Sequence, residues 1–139
     1  MIIEDLDIVK RLIAEKEGGL VEFKETTGQL ERGMETLCAF LNGNGGTVLF
    51  GVNDKGKIIG QDVSDKTRRD IADAINRLEP VAMVQISYAP LPDSEKKVII
   101  FRVEDSRLII WRSLVQAQAG PLSKSRSYEI RNSFFLAFA

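Results

Sequence analysis

The stretch "CAFLNGNGGTVLFGVNDKG", Cys38 to Gly56, places a cluster of turn-forming residues between two apolar segments. The first segment ends at Asn42-Gly43, a pair that is typical of helix ends, and we expect Gly43 to adopt a left-handed C-cap conformation. The second segment, residues 47–52, is almost entirely apolar, which predicts a central strand buried on both faces. Because Gly45-Gly46 allow a tight reversal, the stretch indicates a helix that turns sharply into a core strand.

Hydrophobic periodicity assigns most of the chain around this stretch. Apolar residues at helical spacing predict three helices: one ending at Gly18-Gly19, one over residues 30–41, and one that begins at Ser64 or Asp65. Strands are predicted over residues 20–24, 47–52, 57–60, 84–88 and 97–103, with residues 108–111 as an uncertain extension. Hairpins mixed with helices favour an α+β fold, a sheet of about five to six strands with three helices packed on it.

Composition excludes several kinds of chemistry. The 139 residues include one cysteine and no histidine, so histidine triads, histidine metal sites and internal disulfides are excluded. No apolar run approaches the roughly 20 residues that cross a bilayer, and the first residues lack the pattern of a signal peptide. We therefore expect a cytoplasmic protein with one domain core over residues 1–106 and a divergent C-terminal segment over 107–139, which completes the sheet or packs on the same domain.

Charge is unevenly distributed along the chain. The net charge is −1, yet the residues from Arg107 onward carry five basic side chains and a single acid, Glu129, for a net of +4. Such a segment can contact phosphate, and it can equally be a solubilising surface. The apolar end, residues 134–138, is expected to pack against this chain or a second copy, so a homo-oligomer is one alternative.

The glycine loop has two interpretations. Phosphate binding by a Walker A loop needs a lysine and a serine or threonine that residues 42–46 lack, so ATP is not expected as a cofactor. In addition, a helix leads into this loop, and the C-terminal end of a helix repels anions. The structural interpretation is a tight turn between helix and strand.

Three carboxylates form the candidate catalytic and metal site. Glu17 and Glu22 flank Gly18-Gly19, and Asp54 lies in the turn after the buried strand. If they converge, they could bind a divalent cation that activates water against a phosphodiester. Alternatively, Glu22 faces solvent and Asp54 is an ordinary turn residue. Lys24 lies on the same strand face as Glu22, where it could contact phosphate or neutralise Glu22.

Three motifs together resemble a known family: "EGGLVEFKET" (17–26), "CAFLNGNGGTVLFGVNDKGKIIG" (38–60) and "KVIIFRVEDS" (97–106). They resemble the Schlafen-type AlbA-like DNA-binding domain, which in bacteria commonly begins transcriptional regulators or RecG-related proteins. The resemblance implies an α+β fold with a mixed or antiparallel sheet, and it implies nucleic-acid binding. In the animal relatives, a three-carboxylate site cleaves structured RNA with a divalent metal (Mg or Mn), and the matching positions here are Glu17, Glu22 and Asp54. Residues 108–124 depart from the family pattern.

The resulting prediction is a nucleic-acid-binding module of a bacterial regulator or RecG-related protein that contacts DNA or RNA without a required cofactor. The alternatives are a metal-dependent RNA endonuclease, and a nucleotide-binding or dimerisation module. The predicted nucleic-acid contacts are Lys24, Asn42, Gly45, Gly46, Arg102, Arg107, Arg126 and Arg131.

Overall fold

The computed structural model describes residues 2–15, 19–80, 82–105 and 110–111. Within these ranges the fold is α+β, as predicted, with three helices packed on a mixed sheet. The main sheet has four strands, slightly fewer than expected, because residues 57–60 form no strand and residues 110–111 pair with residues 78–79 in a separate two-stranded sheet. In chain order the elements are α1 (Leu6–Ala14), β1 (Val21–Lys24), α2 (Leu30–Leu41), β2 (Gly46–Phe50), α3 (Asp65–Ile75), β3 (Leu78–Glu79), β4 (Gln85–Pro90), β5 (Lys97–Val103) and β6 (Ile110–Trp111).

The main sheet has the strand order β1-β2-β5-β4. β1 and β2 run parallel and are joined by α2, whereas β2 with β5, and β5 with β4, are antiparallel. Parallel neighbours need a crossover of this kind, and the turn-rich loop after α2 returns the chain to the starting edge. β2 and β5 therefore lie at the centre, as the apolar run at residues 47–52 predicts.

Hydrophobic cores cover both faces of the sheet. On one face, α1 packs through Val9 onto Phe23, Leu49 and Ile100. On the other face, α2 and α3 cover a larger cluster that includes Met34, Leu37, Phe50, Ile71 and Phe101. Because successive strand residues point to opposite faces, each core strand supplies both clusters.

Close packing explains the glycine inside α2. A Cβ at Gly33 would lie 2.5 Å from the Phe50 ring, far inside van der Waals contact. The same ring packs edge-on against Phe101 with a centroid separation of 5.1 Å. The helix therefore approaches the sheet as closely as it does because this position carries no side chain.

Two local predictions are decided by backbone geometry. Ser64 is the N-cap of α3, and it forms a reciprocal capping box with Thr67. The predicted return strand over residues 57–60 is wrong, since pairing there is limited to a single bridge between Val52 and Ile58. Regular pairing stops because Gly51 and Gly60 have positive φ angles of 107° and 71°, which break the pleat.

The N-terminal segment closes part of the β4 edge. Tyr88 donates its N–H to the carbonyl of Ile2 at 2.9 Å and accepts from the N–H of Glu4 at 2.8 Å. α1 then begins at Leu6, capped by the Asp5 side chain. None of the helices in the described ranges has both the length and the apolarity that a bilayer crossing requires.

Candidate nucleic-acid interface

Glu22 and Lys24 lie on the sheet face that α2 covers, since Val21 and Phe23 occupy the opposite core. The Lys24 ammonium is 3.4 Å from the Glu22 carboxylate, and only 13% of the Lys24 side chain is exposed, against 40% for Glu22. Lys24 thus neutralises Glu22, which is the second of the two alternatives that the sequence left open. A contact between Lys24 and phosphate stays a prediction.

A further carboxylate on α2 lies close to this ion pair. Burial raises the pKa of Glu35 above its ordinary value of 4.5, and the neighbouring Glu31 raises it further. The positive charges of Arg32 and Lys24 act in the opposite direction. Lys24 therefore interacts with two carboxylates, those of Glu22 and Glu35, which reduces the charge it presents to a ligand.

Asp54 lies in a tight turn whose geometry is fixed by its neighbour. The Asn53 side-chain oxygen accepts from the N–H groups of Lys55 and Lys57, both at 2.9 Å. Asp54 itself is exposed, and a Cβ at Gly56 would be 3.2 Å from Ile13 of α1. The turn thus contacts the α1 side of the sheet, whereas Glu22 points to the α2 side.

Only two of the three carboxylates in the predicted site, Glu22 and Asp54, belong to the described residues. Glu17 lies outside the described residues. Among the residues that the structure describes, no three Asp, Glu, Cys or His side chains are grouped closely enough to hold a metal ion. The metal site of Glu17, Glu22 and Asp54 therefore stays a prediction.

The glycine loop is shaped by packing. Asn42 is the C-cap of α2, and its side-chain amide donates to the Cys38 carbonyl at 3.0 Å. The left-handed residue is Gly45, with φ 83°, so the prediction that Gly43 takes this conformation is wrong. Asn42 keeps a helix-like backbone, and the loop therefore reverses two residues later than a glycine C-cap would.

Neither Gly45 nor Gly46 has room for a side chain. A Cβ at Gly45 would be 2.7 Å from the Val103 carbonyl oxygen, and one at Gly46 would be 2.6 Å from the Phe40 ring. Close approach of β5 and α2 accounts for both glycines without a ligand.

Arg102 lies on the α1 face of the sheet and is engaged in an internal network. Its guanidinium is 3.1 Å from the Glu4 carboxylate, whose other oxygen accepts from the buried Ser87 hydroxyl at 3.1 Å. The Arg102 and Glu4 side chains are 29% and 17% exposed. Arg102 therefore ties the N-terminal segment to the sheet, and its predicted phosphate contact is untested.

Four lysines that were not among the predicted contacts lie near the carboxyl end of β2 and the start of β5. Near this end of the sheet, reciprocal backbone hydrogen bonds of 2.9 Å join Gln61 to Lys97, the first residue of β5. We give the name lysine edge to Lys55 and Lys57, which follow β2, together with Lys96 and Lys97, where β5 begins. None of the four has an ion-pair partner among the described residues. The adjacent pair Lys96-Lys97 was the available signal, but its distance along the chain from residues 55–57 concealed the grouping.

The described part of the chain is acidic as a whole. It carries thirteen Lys or Arg residues and eighteen Asp or Glu residues, a net of −5. The segment from residue 107 onward carries +4, and its candidate contacts Arg107, Arg126 and Arg131 lie outside the described residues. Four exposed acids of the same two stretches, Asp54, Asp62, Asp93 and Glu95, balance the lysine edge, so the net excess of positive charge is found in the segment from residue 107 onward.

Comparison with known proteins identifies the family. The family model described as "Schlafen, AlbA_2" matches residues 17–129, most of the chain. The chain belongs to the Schlafen AlbA_2 family. This confirms the resemblance found in the sequence motifs, and it associates the domain with nucleic acid at the level of the family.

Among solved structures, the Schlafen AlbA_2 chain is similar to the DIP2311 protein from Corynebacterium diphtheriae, at 19% identity and a TM-score of 0.46. The match covers 78% of this chain and 25% of the DIP2311 chain, so this chain spans about a quarter of that protein's length. Comparison with curated protein sequences gave no match.

Proposed function

We propose that this Schlafen AlbA_2 domain binds nucleic acid mainly through the phosphate backbone. The observation that carries the proposal is the division of charge in a family associated with nucleic acid. The basic segment after residue 106 has a net charge of +4, whereas the described body has −5. A polyanion is attracted to the first and repelled by most of the second.

Arg107, Arg126 and Arg131 are assigned as the principal phosphate contacts. The lysine edge is assigned a supporting role, because its four lysines have no ion-pair partner among the described residues. Lys24 and Arg102 contribute less, since Glu22 and Glu4 already neutralise them at 3.4 and 3.1 Å. Contacts of this kind position a nucleic acid without reading its sequence.

The choice of DNA over RNA is a finer proposal, and so is the role as a module of a bacterial transcriptional regulator or RecG-related protein. Both rest on the family motifs. The preference for DNA is tested by comparing the affinity for a DNA duplex with the affinities for single-stranded RNA and hairpin RNA of equal length.

Salt dependence tests the proposal directly. Fluorescence anisotropy with a labelled DNA duplex and a labelled RNA hairpin, between 50 and 200 mM salt, gives the slope of log K against log salt. Each lost phosphate contact should reduce the magnitude of this slope by roughly 0.9 for duplex DNA. Replacing Arg107, Arg126 and Arg131 with glutamine should therefore reduce it by roughly 2.7.

A matched control removes the same number of positive charges from the helices. Lys10→Gln, Lys66→Gln and Arg69→Gln change three exposed cations of the described body. The control should leave the slope nearly unchanged. Absence of binding at low salt, or equal slopes for the two triple variants, contradicts the proposal.

A further inference from the structure

A groove opens at the end of the sheet opposite to the lysine edge. It has a volume of about 520 Å³ and lies between the last turn of α1, the end of α2 and the strand ends that include Gly46 and Val103. Its apolar lining consists of Leu12, Leu20, Val21, Leu41, Met83 and Val103. This volume is within the range of ligand-binding clefts.

Two of the apolar residues that line the groove are exposed to solvent, whereas Val21, Leu41 and Val103 are buried at its floor. Leu20 and Met83 are 44% and 88% exposed, and they are two of the four large hydrophobic side chains that the described surface presents to solvent. Both lie in this one groove. Apolar side chains concentrated in a cleft and bordered by polar residues are typical of interaction sites.

The groove is also strongly negative. Glu15, Glu104 and Asp105 line it, are all exposed, and have no ion-pair partner among the described residues. Among the described residues of the lining, the single cation is Arg102, whose guanidinium is 3.1 Å from the Glu4 carboxylate.

The C-terminal ends of two helices add to the negative electrostatic potential of the groove. α1 ends at Ala14 and α2 ends at Leu41, and residues of both last turns line the groove. The C-terminal end of a helix carries a partial negative charge of about one half. The groove therefore repels phosphate, and it favours a cationic ligand that also carries apolar groups.

We propose that this groove is a docking site for a basic peptide segment with apolar anchor residues, supplied by a partner protein. The groove presents both carboxylates and exposed apolar side chains, and this combination fits such a peptide. Its lysine or arginine side chains would pair with the three carboxylates, and an aliphatic or aromatic side chain would pack on Leu20 and Met83. A free metal ion or polyamine would leave the apolar surface uncovered. The groove lies at the opposite end of the sheet from the lysine edge, and its lining includes Gly46 and Arg102 from the candidate nucleic-acid contacts.

The experiment measures peptide binding by anisotropy with the full chain. The probe is a labelled seven-residue peptide in which lysine and leucine alternate, and its counterpart has glutamate in place of each lysine. The wild-type chain should bind the basic probe. The variant with Glu15→Lys, Glu104→Lys and Asp105→Lys should bind it roughly tenfold more weakly and should gain affinity for the acidic probe.

Two further variants separate docking from non-specific attraction. Met83→Ser, at a position too exposed to affect folding, should weaken the basic probe several-fold because an apolar contact is lost. The matched control reverses three exposed charges away from the groove, Asp62→Lys, Asp93→Lys and Glu95→Lys, and should change affinity little. If this control weakens the basic probe as much as the groove variant does, or if Met83→Ser has no effect, the groove is not the docking site. Nucleic-acid binding by the wild type is measured separately, so either proposal can fail alone.

Discussion

Gly45 is the position at which one methyl group should most disturb the connection between α2 and β2. Two costs add in Gly45→Ala. The backbone has φ 83°, and a left-handed conformation costs a non-glycine residue about 1 kcal/mol. The new Cβ would lie 2.7 Å from the Val103 carbonyl oxygen and 3.0 Å from the Glu104 Cα, both backbone atoms that cannot rotate away.

Overpacking of this kind costs roughly 1 to 3 kcal/mol. We therefore expect Gly45→Ala to lower the free energy of unfolding by about 2 to 4 kcal/mol, or Tm by roughly 4 °C for each kcal/mol. Urea denaturation followed by circular dichroism measures the change, and an unchanged m-value shows that the compactness of the two states is preserved.

Gly19 provides the matched control. Its φ is 82°, nearly the same as at Gly45, but a Cβ there would have no atom within 4 Å. Gly19→Ala should therefore cost only the conformational part, about 1 kcal/mol. If both variants lose equal stability, the close approach of Val103 contributes nothing, and the packing account of the glycine loop is wrong.

The remaining predictions concern two carboxylates. Because burial raises the pKa of Glu35 in the folded state, the native protein binds this proton more tightly, and stability should fall as pH rises from about 4.5 through the raised value. Glu35→Gln should remove that fall and stabilise the protein at neutral pH, which urea midpoints between pH 4 and 7 measure; a constant difference between the two proteins across this range would contradict it. If the predicted nuclease site of Glu17, Glu22 and Asp54 acts, structured RNA with Mn²⁺ should be cleaved and Asp54→Ala should abolish the cleavage. Cleavage that survives Asp54→Ala would place any activity elsewhere.

Local sequence signals predicted the elements well. The apolar run of β5 marked Lys97–Val103 correctly, and the spacing in α2 was read correctly in spite of Gly33. Such signals succeed because side-chain periodicity follows directly from backbone geometry. The pattern could not decide between Gly43 and Gly45 as the left-handed residue, because either glycine tolerates that conformation and only the approach of Val103 selects one.

The site was harder to predict than the fold. Arg102 is 98 residues from Glu4 along the chain, and nothing in either local pattern indicates that they form an ion pair. The acidic groove is assembled from the end of α1, the residues around the start of β1, the end of β5 and the segment that leads into β4, so no single segment shows its charge. Position relative to the sheet can be read from a sequence, whereas contacts between distant segments depend on how the layers pack.

The pairing of residues 2–4 with β4 has a consequence for association. An exposed sheet edge offers its N–H and carbonyl groups as a template to other chains. Here the backbone of Ile2 and Glu4 occupies both groups of Tyr88, while the Glu4 side chain holds the segment in place through Arg102 and Ser87. Residues 2–4 thus protect this part of the β4 edge. If they detached, the backbone groups of Tyr88 would be free to pair with a strand of a neighbouring molecule, which would favour aggregation.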